Sequence, residues 1–295
     1  YMRIKPFCLI PLFSLVFFAC GEKMVVKPYN EGLHIIPEPE RITQQTGEFV
    51  LNPNTLFIID NDTLDAVAGY FKYKIKQSTG YQLADGQEAE RNYIRLALDT
   101  TLNLKEEGYK LAVLPEGIWV RSQSPQGIFY GMQTVMQLLP AEIESELVIN
   151  NIVWAMPCVE IEDEPAYSYR GMMLDVSRHF HDVAFVKKQL DIMAMFKLNR
   201  FHWHLTNDHL WTIEIKKYPR LTEVGSVRRN ADGSIHKGFY TQEQIKEVVA
   251  YAAERFITVI PEVELPGHAL AALTAYPELS CTGGPFQLRN KWGVE

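Results

Sequence analysis

The spacing of apolar residues predicts two kinds of segment in this chain. Between Asp65 and Gln77, apolar positions recur every three to four residues, which predicts an amphipathic helix. Ser124 followed by Pro125 predicts the start of a second helix, because proline is favoured in the first helical turn. Strand formers between the two helices are concentrated in residues 93–98, 109–113 and 117–120. Residues 21–160 are therefore predicted to form a small α+β domain with helices packed on a sheet.

From residue 169 onward, strand and helix patterns alternate. The predicted strands are residues 170–175, 199–205 and 256–263. One connecting helix is predicted to start at Asp182 and to include Lys197, and the other to start at a capping box formed by Thr241 and Gln244. Such alternation predicts a parallel sheet in residues 161–295, either open or closed into a barrel. No glycine-rich loop follows the first strand, which argues against a dinucleotide-binding fold.

Polar residues follow the C-terminal end of each predicted strand. They are Asp175 and Arg178 at or after the end of the first strand, Asn207 and Asp208 after the second, and Glu262, Glu264 and His268 at or after the end of the third. In a βα barrel these ends meet at the mouth where active sites lie, and in an open sheet they border a crevice. The sequence therefore predicts a functional site at these strand ends.

The chemistry of these residues fits carbohydrate hydrolysis, although other interpretations exist. Glycoside hydrolysis needs a carboxylic acid that its surroundings keep protonated. The candidate carboxyl groups are those of Asp208, Glu262 and Glu264. Arg178 could donate a planar pair of hydrogen bonds to sugar hydroxyls, or it could form a salt bridge with a neighbouring acid.

The histidines raise the alternative of a metal site, since five of the eight lie within residues 179–209. His202 and His204 are two apart in a strand and point to one face, as two ligands could. The apolar residues that alternate with them favour a hydrogen-bonded layer instead, and we expect no metal and no cofactor. Trp203 is expected in the core, whereas Trp211 could pack there or stack on a sugar.

The first twenty residues have the layout of a secretory signal. Arg3 and Lys5 precede an apolar run over residues 6–19 that is short for a membrane span. The run ends at Cys20, as in bacterial lipoprotein signals, although Phe17 stands where an aliphatic residue is usual. We expect residues 1–20 to be a lipoprotein-type signal peptide and Cys20 to be lipidated, with simple cleavage or an uncleaved anchor as alternatives. The expected location is the bacterial cell envelope, in the periplasm or at the outer membrane.

Charge and cysteine content argue against a nucleic-acid-binding protein and against a disulfide-rich protein. The net charge of −7 and pI of about 5.7 give no basic field of the kind that attracts nucleic acid, so no nucleic-acid partner is expected. Beyond the signal, Cys158 and Cys281 are the remaining cysteines, which is too few for a disulfide framework.

Three ordered motifs resemble a known family. They are RGMMLDVSRHF at residues 170–180, HWHLTND at 202–208 and PEVELPGH at 261–268. This set resembles glycoside hydrolase family 20, the β-N-acetylhexosaminidases, and residues 36–39 resemble the start of that family's N-terminal domain. The resemblance implies a (β/α)₈ TIM barrel, of which residues 161–295 would supply the first three strands.

The resemblance also implies roles and substrates. Arg178 would bind hydroxyls of the terminal sugar, and Glu264 would support the substrate site. His268 would act through an acidic residue that contacts the catalytic acid. The substrates would be glycans or oligosaccharides ending in N-acetylglucosamine or N-acetylgalactosamine, with the substrate's acetamido oxygen as nucleophile.

Two departures from the family pattern affect these expectations. The family's catalytic Asp-Glu pair follows the fourth barrel strand, whereas this sequence finishes at Glu295 after three, so we expect the fragment to be inactive. The family usually has Asp-Asp where this chain has Asn207 and Asp208, the residues that we group with His268 as catalytic candidates. A glycan-binding surface lipoprotein without catalytic activity is the alternative.

Overall fold

The computed structural model describes residues 33–290. The predicted signal segment and Cys20 therefore lie outside the described residues. The described chain forms two packed units, the N-terminal unit (residues 33–163) and the C-terminal unit (residues 164–290). Within these residues, no helix combines the length and the apolar character that crossing a membrane requires.

The N-terminal unit is a seven-stranded mixed sheet in the order β1-β7-β5-β6-β4-β2-β3. Its elements are β1 (Arg41–Val50), β2 (Leu56–Ile59), α1 (Asp65–Thr79), β3 (Asp85–Gly86), β4 (Tyr93–Leu98), β5 (Tyr109–Leu114), β6 (Gly117–Ser122), α2 (Pro125–Leu138) and β7 (Ala155–Asp163). The predicted helices and the three predicted strands are all present. Because β7 runs to Asp163, the sheet extends three residues past the boundary predicted after residue 160.

Helix α2 joins the two units. Ser124 caps it by accepting a hydrogen bond from the backbone N–H of Gly127, and residues 127–136 are all buried. A helix that is buried on all sides needs partners on all sides, and α2 lies between the sheet and the C-terminal unit. Gly131 lies against β6, where a Cβ atom would come within 2.5 Å of Val120 Cγ1. On the other side, the Phe129 ring lies 5.3 Å from that of Phe256.

The C-terminal unit contains three parallel strands in the order β12-β9-β8. Its elements are β8 (Gly171–Asp175), α3 (Val183–Met195), β9 (Arg200–His204), α4 (Arg220–Glu223), β10 (Val227–Arg229), β11 (Ile235–Lys237), α5 (Gln242–Ala253), β12 (Thr258–Glu262) and α6 (Leu270–Ala275). Asp182 caps α3, and both hydrogen bonds of the Thr241–Gln244 capping box are present at α5. The predicted parallel α/β arrangement is confirmed, and its closure into an eight-stranded barrel stays a prediction.

Lys197 does not lie on α3, so that prediction was wrong. The helix ends at Met195, and Lys197 has a left-handed backbone with φ 58°. Its buried ammonium group donates to the Tyr109 hydroxyl at 2.8 Å and to Asp163 Oδ2 at 3.2 Å. The spacing of Lys197 from Met193 favoured a helix that includes Lys197, but these tertiary contacts with the N-terminal unit outweigh the local pattern.

Candidate active site

The register of the parallel strands places three polar residues in one row. Asp175 at the end of β8 lies opposite His204 of β9, and His204 lies opposite Glu262 of β12. Side chains in register on adjacent strands point to the same face, so the row crosses the sheet at its C-terminal end. The sequence predicted that polar residues would meet here, and this geometry brings them together.

Arg178 lies in the turn that follows β8. Asp175 Oδ1 accepts hydrogen bonds from the backbone N–H groups of Ser177 and Arg178, each at 3.0 Å, and this fixes the turn. The Arg178 guanidinium forms an ion pair with Asp175, one of the two interpretations left open by the sequence. Its side chain is still 34% exposed, so the same guanidinium can contact a ligand at the strand ends. Burial raises the pKa of Asp175, but the hydrogen bonds from Arg178 outweigh it and hold that pKa below the ordinary value.

Asn207 and Asp208 point to different partners. Asn207 is buried, its Oδ1 accepts from the backbone N–H of Asp208 at 2.7 Å, and its Nδ2 lies 3.1 Å from His204 Nε2. Asp208 Oδ2 lies 3.4 Å from His268 Nδ1, and its Oδ1 accepts from the backbone N–H of Leu270 at 3.2 Å. Of these two neighbours, Asp208 is the one whose carboxylate faces His268.

Glu262, the last residue of β12, and Glu264, two residues further along, form a carboxyl pair. A hydrogen bond between the two side chains lowers the pKa of Glu262 and raises that of Glu264. His202 Nε2 lies 2.5 Å from Glu262 Oε2, which adds to the lowering at Glu262. The backbone N–H of Glu264 donates to Thr206 Oγ1 at 2.8 Å and so ties the loop to the end of β9. Of the two carboxyl groups, Glu264 therefore keeps a proton more readily than Glu262.

The possible metal ligands are the same residues. Within residues 33–290, His204, Glu262 and Glu264 form the group in which one ligand atom from each lies within 4.8 Å of the others. Both ring nitrogens of His204 already face protein atoms, Glu262 Oε1 at 3.3 Å and Thr206 O at 2.9 Å. This arrangement favours the hydrogen-bonded layer over a metal site.

Sequence reasoning missed a hairpin that supports the Arg178 turn. His236 on β11 accepts a hydrogen bond from the Phe180 backbone N–H at 2.9 Å, and the His236 ring stacks on His179 at 4.7 Å. Arg228 on β10 donates to the carbonyl oxygen of Arg178 at 3.2 Å. The two strands have three residues each, and strands this short leave no periodic signal in the sequence.

The two tryptophans next to the site serve packing. Trp203 is fully buried, as predicted, and its ring lies 4.7 Å from that of Tyr240. Trp211, for which the sequence allows either packing or stacking on a sugar, is also buried. Its Nε1 donates to the carbonyl oxygen of Ile213 at 2.8 Å. Neither tryptophan therefore presents an exposed ring face at the strand ends.

Comparison with known protein families finds one family in both units. The description "Glycosyl hydrolase family 20, catalytic domain" matches residues 167–295, and "Glycosyl hydrolase family 20, domain 2" matches residues 32–164. The β-hexosaminidase of Porphyromonas gingivalis is 50% identical over 98% of this chain and 37% of its own length. The β-hexosaminidase of Vibrio furnissii is 38% identical over 83% of this chain and 40% of its own length.

Solved structures give the same relationship. N-acetyl-β-hexosaminidase of Streptomyces plicatus, in complex with thio-NAglucal, matches with a TM-score of 0.81 and 35% identity, over 88% of this chain and 51% of that one. β-N-acetylhexosaminidase of Bacteroides fragilis matches with a TM-score of 0.73 and 35% identity, over 87% of this chain and 50% of that one. The chain thus spans about half or less of the length of these relatives.

Proposed function

Since the chain belongs to glycosyl hydrolase family 20, we propose that the protein hydrolyses terminal β-linked N-acetylhexosamine from glycans or oligosaccharides. The observation that carries this proposal is that Arg178, the Asp208–His268 pair and Glu264 follow the C-terminal ends of three adjacent parallel strands. A Streptomyces plicatus relative holds GlcNAc as product, which supports N-acetylglucosamine as the terminal sugar.

Each residue has a proposed role in that reaction. Arg178 donates to hydroxyls of the terminal sugar, and Asp175 holds its guanidinium in place. Glu264, whose pKa is raised by its hydrogen bond with Glu262, contacts the substrate as a carboxyl group that keeps its proton more readily than usual. Asp208 orients His268, which supports the catalytic acid.

Bond cleavage itself is proposed to use the substrate's own acetamido oxygen as nucleophile, as in hexosaminidases that depart from the two-carboxylate scheme. The Asp-Glu pair that this chemistry needs has no counterpart at β8, β9 or β12. We therefore assign activity to the full-length protein with its complete (β/α)₈ barrel, and we expect no turnover from residues 20–295 alone.

The test is release of 4-nitrophenol from the 4-nitrophenyl β-glycosides of N-acetylglucosamine and N-acetylgalactosamine by the full-length protein. Turnover of either, abolished by Arg178→Met, is the expected result. Binding of N-acetylglucosamine without turnover would instead support the alternative, a glycan-binding surface lipoprotein. That alternative draws on Asn207, which replaces a carboxylate of the family pattern by a neutral amide.

The proposed location rests on the sequence alone. We propose that Cys20 carries a lipid anchor that holds the protein in the bacterial cell envelope. Growth with a radiolabelled fatty acid tests this, since the full-length protein should incorporate label and Cys20→Ala should not. Equal labelling of both would contradict the anchor.

A further inference from the structure

His204 occupies the centre of the row that crosses the strand ends. Asp175 lies beside it on β8 and Glu262 beside it on β12, and its side chain is only 7% exposed. A buried imidazole between two carboxyl groups has little freedom to turn, because each ring nitrogen needs a hydrogen-bond partner. The partners of those two nitrogens therefore define what His204 does.

The Nδ1 side of the ring faces Glu262. Nδ1 lies 3.3 Å from Glu262 Oε1, while His202 Nε2 lies 2.5 Å from Glu262 Oε2. Both oxygens of Glu262 are thus held by imidazoles of the same strand. The Glu264 carboxyl belongs to the same cluster, since one side-chain atom each of His204, Glu262 and Glu264 lies within 4.8 Å of the others. The orientation of Glu262 therefore affects the surroundings of the Glu264 carboxyl.

The Nε2 side of the ring faces one donor and one acceptor. The Asn207 Nδ2 group lies 3.1 Å away and the Thr206 carbonyl oxygen 2.9 Å away. The Asn207 amide cannot simply turn over, since its Oδ1 accepts from the backbone N–H of Asp208. A neutral ring can accept from Asn207, and a protonated ring can donate to Thr206. In the neutral form that accepts from Asn207 at Nε2, and in the protonated form, Nδ1 carries a proton and can donate it to Glu262.

We propose that His204 is a positioning residue whose Nδ1–H group holds Glu262, and through Glu262 holds the Glu264 carboxyl where the substrate binds. The contact between Glu264 and substrate rests on the proposed function. The contact between His204 and Glu262 is independent of that function.

Two substitutions distinguish the role of Nδ1 from that of Nε2. His204→Asn places an amide N–H near the position of Nδ1 and can still donate to Glu262. His204→Gln places its amide near the position of Nε2 and leaves Glu262 without that donor. In the full-length protein we expect His204→Gln to raise KM about tenfold, within the range found for the loss of a partner that orients a ligand group. His204→Asn should stay within threefold of the wild-type KM.

Thermal unfolding of both variants distinguishes positioning from a general effect on folding. Similar losses of stability with unequal KM values support the proposal. Equal KM changes in both variants, or none in either, overturn it.

Crystal structures of the same two variants test the hold without any turnover. In His204→Gln the Glu262 carboxyl should move out of hydrogen-bonding distance of His202, and in His204→Asn it should stay. An unmoved Glu262 in the Gln variant overturns the proposal. Absence of turnover by the wild-type protein would instead count against the proposed function, and the structural comparison would still decide the role of His204.

Discussion

Asn207 and Asp208 are neighbours at the end of β9, yet their side chains face opposite partners. Asn207 is turned to His204 and Asp208 to His268. The motif HWHLTND was enough to select both residues as candidates. Which of them faces His268 depends on the turn after β9 and on the loop that carries His268, and no local pattern in the sequence encodes that.

Asp208→Asn tests the His268 contact. The substitution keeps the size of the side chain and removes the charge 3.4 Å from His268 Nδ1. In the full-length protein we expect kcat for the nitrophenyl glycoside to fall roughly 10²-fold, the lower end of what a positioned acid–base group contributes. Asp232→Asn, on the exposed tip between β10 and β11, is the matched control and should leave kcat unchanged. An Asp208 variant as active as this control would remove Asp208 from the site.

The ion pair between Asp175 and Arg178 gives a pH-dependent prediction. Hydrogen bonds in the folded state hold the pKa of Asp175 below 3.8, so its stabilising contribution is complete above pH 3.8 and is lost as the pH falls through the lowered pKa. Asp175→Asn should therefore lower the free energy of unfolding by about 1 to 2 kcal/mol at pH 7 and at pH 5. Urea unfolding at pH 7, 5 and 3.5 should show the difference between variant and wild type shrinking only at the lowest pH.

Among the elements, those with local signals were predicted best. Ser124, Asp182 and Thr241 were identified as helix starts and all three cap helices, because a capping bond forms within four residues and leaves a short motif. The end of α3 was missed because Lys197 is drawn out of the helix by partners on β5 and β7. The hairpin of β10 and β11 was missed because its contacts to the Arg178 turn are purely tertiary.

Removing the hydroxyl group of Thr241 tests how much the capping box of α5 contributes to stability. Gln244 N donates to Thr241 Oγ1 at 3.1 Å, and Thr241 N donates to Gln244 Oε1 at 2.9 Å. Thr241→Ala should lower the free energy of unfolding by about 1 kcal/mol, as measured by chemical denaturation, since one backbone donor loses its partner. Thr241→Ser keeps the hydroxyl and should stay close to the wild type. Equal stability of the alanine and serine variants would show that the cap contributes nothing.

For the whole molecule, the contact between the two units includes a buried charge. The Lys197 ammonium enters the N-terminal unit and lies between Tyr109 and Asp163. Burial lowers the pKa of Lys197, while Asp163 opposes that effect. Burial therefore makes the charged form of Lys197 less favourable, and the Asp163 carboxylate in turn needs the lysine as its counter-charge.

Lys197→Met should destabilise the protein by about 3 kcal/mol, because it leaves the partly buried Asp163 carboxylate without its counter-charge. Adding Asp163→Asn to that variant should recover a large part of the loss. A thermal unfolding comparison of wild type, the single variant and the double variant decides this. A double variant less stable than the single one would show that the aspartate contributes independently of the lysine.

The burial of α2 on all sides affects how this protein can change over evolutionary time. Its residues 127–136 complete the core of the sheet and the core of the unit that carries the candidate site, and one continuous apolar cluster runs through both. Recombination that separated residues 33–163 from the rest would expose the face of α2 that packs on the C-terminal unit. The C-terminal unit would lose the helix that packs against it. We therefore expect the two units to be inherited together, with new modules acquired before or after the pair and not between its halves.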